Sequence, residues 1–61
     1  MPFVNVMVAG PLTKDQKTSL AVKITAALEE VAGKDPKTTY VVFEEVDREN
    51  WAAGGKLLSG N

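Results

Sequence analysis

Sixty-one residues form a single domain, 1–61, too short to bury a large core of its own. The chain has no cysteine and no histidine, so disulfides, thiolate chemistry and the common zinc sites are excluded, and oligomerisation is left as the means of stabilising it. Net charge is −1, and the lysines at 14, 17, 23, 34, 37 and 56 stand singly, which excludes the basic stripe that a nucleic-acid partner requires.

The chain opens Met1-Pro2-Phe3-Val4-Asn5-Val6. Proline lacks an amide N–H and belongs at an edge or at the first residue of a strand, which is one reading of Pro2. The other is chemical: removal of Met1 would expose a secondary amine. Residues 3–9, FVNVMVA, are rich in β-branched side chains and closed by Gly10-Pro11, so they predict a strand ending in a turn. Thr13 followed three residues later by Gln16 is a capping-box pattern, with Asp15 in the first turn. Leu20, Ile24, Ala27, Leu28 and Val31 recur at helical spacing, Gly33 suits the C-terminal cap and Pro36 follows, which predicts a helix over 14–32. Residues 39–46, TYVVFEEV, predict a second strand, Asp47–Asn50 a polar loop, and Trp51–Gly55 leads into the tail KLLSGN. Strand, helix, strand is a βαβ unit, so the two strands should be parallel.

Both strands are apolar on both faces. Phe3 and Met7 oppose Val4, Val6 and Val8, while Tyr40, Val42 and Val46 oppose Val41 and Phe43. One helix covers one face only, and Val22 and Ala26 form a second apolar patch on the helix itself. Further copies are expected to cover the remainder and to continue the sheet. No apolar run approaches the length of about 20 residues that a membrane span needs, and no signal-peptide pattern is visible. A cytoplasmic protein with no membrane partner is expected.

Without histidine or cysteine, a general base must be a carboxylate, a lysine, a tyrosine or the N-terminal amine. The acidic stretch Glu44-Glu45-Val46-Asp47-Arg48-Glu49 lacks the glycine and ligand spacing of a calcium loop and reads as a solvated strand end; no metal is expected. Gly54-Gly55-Lys56 lacks the earlier glycine of a phosphate loop, and Leu57 stands where that motif needs Ser or Thr. An N-terminal amine titrates near about 7.7–8.0, closer to neutrality than lysine, and apolar surroundings disfavour its charged form. A neutral, ring-held amine at Pro2 can take a proton from one atom of an enol system and return it to another. That is tautomerase chemistry.

Met-Pro before a strand, L-T-K-D-Q-K opening a helix, then V-V-F-E-E-V and W-A-A-G-G-K, together resemble the 4-oxalocrotonate tautomerase family over about residues 2–58. The resemblance implies an α+β fold: a single βαβ subunit with a C-terminal hairpin, its sheet completed by oligomerisation into a homohexamer, a trimer of dimers. It implies a cofactor-independent isomerase in which Pro2, freed of Met1, is the catalytic base acting on an enol or dienol of a 2-oxo acid such as 2-hydroxymuconate, in the setting of aromatic compound catabolism. The family's two substrate-binding arginines fall at Leu12 and Tyr40, and its aromatic pocket wall falls at Trp51. Leucine cannot give the bidentate recognition of a carboxylate that arginine gives, and tyrosine offers one hydrogen bond. A monocarboxylate or less charged enol therefore suits this pocket better than 2-hydroxymuconate itself. Arg48, the only arginine, is left with two readings: a reach into a neighbouring subunit's pocket, or a surface role. Two other functions remain open beside the tautomerase: a non-catalytic or partner subunit of a family oligomer, and a related hydratase or dehalogenase.

Overall fold

Strand alternation and helix capping set the elements of the computed structural model, which describes residues 1–60. In chain order they are β1 (Phe3–Ala9), α1 (Lys14–Ala32), a 3-10 turn at Pro36–Thr38, β2 (Tyr40–Val46), a second 3-10 turn at Arg48–Asn50, and a hairpin of β3 (Ala52–Ala53) and β4 (Lys56–Leu57). β1 and β2 pair in parallel, in register from Phe3 opposite Tyr40 to Ala9 opposite Val46. The helix and β1 lie where the sequence places them, and β2 begins one residue later than expected because Thr39 caps the preceding 3-10 turn. The two 3-10 turns replace simple loops, the first because Asp35 accepts a hydrogen bond from the Lys37 N–H at 2.9 Å and Pro36 enters with its φ already set.

α1 starts and stops for local reasons. Thr13 Oγ1 accepts from the Gln16 N–H at 3.1 Å, and Gln16 Oε1 accepts from the Thr13 N–H at 2.9 Å, a reciprocal capping box. At the other end Gly33 takes φ +65°, and the N–H groups of Gly33 and Lys34 donate to Glu29 and Leu28 carbonyls at 2.9 and 3.2 Å.

The covered helix face differs in part from the expected stripe. Leu20, Ile24 and Leu28 are half-buried as expected, but Ala27 and Val31 are exposed, and Lys17, Ala21 and Thr25 are covered in their stead. Ala27 lies on the flank of the helix away from Ala21 and Thr25, at 100° per residue. Val31 overhangs the sheet: a 19-residue helix is about 28 Å long, whereas a seven-residue strand spans about 23 Å.

Beneath α1 lie Val4, Val6, Val8, Val41 and Phe43, all half-buried. The opposite face of the sheet is open, with Phe3 65% and Tyr40 53% exposed beside Met7 and Val42. Across it the Asn5 Nδ2 donates to Glu44 Oε1 at 2.6 Å. Among the described residues no side chain is fully buried. The Cα radius of gyration is 14.6 Å, where a compact chain of this length would have about 10–11 Å. The accessible surface of 4703 Å² likewise exceeds the roughly 3,800 Å² of a compact monomer of this mass. The excess comes from the uncovered sheet face and from the projecting hairpin.

That hairpin turns on Gly54 and Gly55, whose φ values of +61° and +80° suit a two-residue turn matching the twist of its strands. Ala52 pairs with Leu57 and Ala53 with Lys56. The Leu58 N–H donates to the Trp51 carbonyl at 2.8 Å and ties the returning strand to the start of the hairpin.

Candidate active site

Pro2 is half-buried just ahead of β1, and its carbonyl accepts from the Tyr40 N–H at 3.0 Å. This bond continues the parallel ladder by one step and fixes the proline at the start of both strands. Met1 precedes it, so the Pro2 nitrogen is an amide in the chain as written. Tyr40 is joined to Pro2 only through backbone: its side chain shares the open sheet face with Phe3, its register partner, whereas strand alternation assigns Pro2 to the other face.

Leu12 and Trp51 leave from the far end. There the Gly10 N–H donates to the Val46 carbonyl at 2.8 Å and closes the ladder. Leu12 follows in the β1–α1 connection and lines a shallow groove with Asp15, Gln16, Ser19, Leu20 and Lys23. Trp51 ends the second 3-10 turn, its N–H donating to the Arg48 carbonyl at 3.3 Å, and is half-buried. Seven strand residues separate the two ends by about 20 Å. One subunit therefore does not bring Pro2, Tyr40, Leu12 and Trp51 into a single pocket.

Glu45 was legible only as part of an acidic strand end, yet it organises the Leu12 end. Its Oε2 accepts from the Leu12 N–H at 3.0 Å, and its Oε1 pairs with Lys17 on α1. Hydrogen bonding from Lys17, then from the Leu12 amide, holds its carboxyl below the usual glutamate value. Parity was the available signal, because Glu45 shares the helix-facing side of β2 with Val41 and Phe43. The remainder of that acidic stretch is exposed apart from Val46. Among the described residues no cluster of His, Cys, Asp or Glu is arranged to hold a metal ion, and no helix is long and apolar enough to cross a membrane.

The family profile described as Tautomerase enzyme matches residues 2–61. The chain belongs to the 4-oxalocrotonate tautomerase family. It is 40% identical over 60 residues to Probable tautomerase K2 of Dickeya dadantii, covering 97% of this chain and 90% of that protein. It is 36% identical over 59 residues to the 2-hydroxymuconate tautomerase of Bacillus subtilis, covering 97% and 95%. Among solved structures, a 4-oxalocrotonate tautomerase isozyme of Methylibium petroleiphilum superposes with a TM-score of 0.89 at 29% identity, covering 97% and 95%. Membership supports a function of the tautomerase or isomerase type, and the βαβ subunit with its hairpin is the fold these structures share. Within this tautomerase subunit, Leu12 and Tyr40 put no guanidinium at either position, and the two residues stand at opposite ends of the sheet.

Proposed function

We propose that this chain is a cofactor-independent tautomerase in which the amine of Pro2, freed of Met1, is the general base. The observation that carries the proposal is the anchoring of the Pro2 carbonyl by the Tyr40 amide, which sets the proline at the first rung of the sheet. The substrate is an enol or dienol of a 2-oxo acid, 2-hydroxymuconate-like in its unsaturation but carrying one carboxylate rather than two. The neutral amine takes the proton of the enol hydroxyl as the C=O bond forms. The electron pair of the enol C=C shifts along the chain, and the carbon that receives it takes the proton from the prolinium. Nothing is consumed, so no cofactor is needed.

The pocket is proposed to be shared between chains, with the Pro2 end of one subunit facing the Leu12 and Trp51 end of another and Tyr40 contributed across the open sheet face. A homohexamer built as a trimer of dimers would supply these contacts and cover Phe3, Met7, Tyr40 and Val42. The absence of any fully buried side chain among the described residues supports such an assembly.

The test compares processed protein beginning at Pro2 with protein retaining Met1, masses confirmed, on 2-hydroxymuconate and on phenylenolpyruvate. The processed form should be faster by about 10²–10⁴-fold, the usual contribution of a positioned base. Its rate should rise with pH as the amine loses its proton, with a midpoint below that of an exposed proline. Equal rates would remove Pro2 from the mechanism. No activity in either form would favour a non-catalytic subunit.

A further inference from the structure

We infer that Arg48 is the carboxylate-binding cation of this pocket, placed at the Leu12 end by the loop that also carries Trp51. The inference rests on the proposed function for its substrate class but not on the role of Pro2. Four observations converge on it. Arg48 opens the turn that ends at Trp51, and its carbonyl accepts the Trp51 N–H, so the guanidinium and the indole are set by one short segment. The side chain folds back over the β1–α1 turn: its Nε lies 3.7 Å from where a Cβ on Gly10 would stand. Gly10 has φ +87°, a conformation other residues rarely adopt, and its N–H is held by Val46, so the surface beneath the guanidinium is fixed backbone. Finally, the charge is uncommitted. Glu45 is paired with Lys17, and among the described residues that is the only ion pair, so neither Asp47 nor Glu49 neutralises Arg48.

Leu12 stands two residues past Gly10 in the same connection. An apolar side chain at 12, a planar indole at 51 and an unpaired guanidinium at 48 thus leave from one sheet end. This is the donor set for a flat, unsaturated acid with one carboxylate: the conjugated body against Trp51 and Leu12, the carboxylate on Arg48. Arginine suits the task because its fork meets both oxygens at once. Lys23 is the competing cation, since it lines the groove beside Leu12. It lies nine residues into α1 from Lys14, about 13 Å along the helix axis, and offers a single point charge.

The experiment is calorimetric titration of processed protein with trans-cinnamate and with its neutral amide, cinnamide. Arg48→Ala should weaken cinnamate binding roughly ten- to a hundredfold, the value of a charge-assisted hydrogen bond, and leave cinnamide unchanged. Arg48→Lys should recover part of the loss, and Lys23→Ala should change neither ligand. Equal weakening of both ligands by Arg48→Ala, an effect of Lys23→Ala alone, or no measurable cinnamate binding by the unsubstituted protein would each overturn the assignment. Because binding needs no proton transfer, a failure of Pro2 as base leaves this result standing and separately readable.

Discussion

At the start of the β1–β2 sheet, Pro2 and Tyr40 are joined backbone to backbone by the ladder itself. At its far end, Leu12, Arg48 and Trp51 leave on two short connections, tied down by Gly10 to Val46, by Glu45 to Leu12 and by Trp51 to Arg48. The first end anchors the half-buried Pro2 through its carbonyl. The second end carries an apolar side chain, an indole and, among the described residues, an unpaired guanidinium, but not the N-terminal amine. Under the proposed function each is half of a site, and the two halves stand at opposite ends of the sheet in one subunit. On that proposal the open sheet face and the divided site have the same remedy, a second copy.

The harshest way to break this relation is to keep copies apart. Val42→Asp puts a charge in the middle of the open sheet face, where a buried carboxylate without a partner is costly. The variant should sediment as a smaller species and lose nearly all tautomerase activity although its own Pro2 is untouched. Full activity from a species of monomer size would refute the shared pocket.

A gentler change sharpens the contrast in recognition. Arginine introduced at both Leu12 and Tyr40 should raise kcat/KM for a dicarboxylate enol by about tenfold or more, with less effect on a monocarboxylate, since each new guanidinium can pair with a carboxylate. Steady-state kinetics on the two substrates decide it. A strong dicarboxylate preference in the unsubstituted protein would mean that a further cation already serves the second carboxylate.

The smallest effect concerns how the Leu12 end is held. The Glu45 carboxyl is lowered in the folded state by Lys17 and the Leu12 amide, so its contribution is present above the unfolded glutamate value and lost as pH falls through the folded one. Glu45→Gln should therefore lower the melting temperature modestly near neutral pH, and the gap should begin to close as pH falls below the unfolded glutamate value of about 4.3. Melting curves from pH 3 to about pH 7 check this. A constant gap down to the lowest pH would show that Glu45 acts by packing rather than by charge.

Local pattern carried most of the fold. β-branched runs, the Thr13–Gln16 box and Gly33 mark their elements because each rests on interactions within a few residues. The misassigned helix positions, Ala27 and Val31, depended on where a narrow two-stranded sheet lies under α1, which no helical period encodes. The hairpin was reached through family resemblance, although Gly54-Gly55 between short extended runs was itself a turn signal. Pro2 was legible as candidate chemistry, and Leu12, Tyr40 and Trp51 as candidate positions. Their division between two sheet ends was not, because it follows from parallel register, a long-range property. Glu45 was missed for a related reason: its partners, Lys17 and Leu12, come from other elements.

Subunit mixing tests the shared site most directly. Subunits whose Pro2 nitrogen is acylated by an added glycine lack the base, and Trp51→Ala subunits lack the aromatic wall; each parent should be nearly inactive. Unfolded together in equal amounts and refolded, they should recover about a quarter of the unsubstituted rate, the random-pairing share of sites that draw an intact Pro2 from one chain and an intact Trp51 from another. A mixture that refolds to the same assembly yet stays as inactive as its parents would place Pro2 and Trp51 in a one-chain site and contradict the shared pocket.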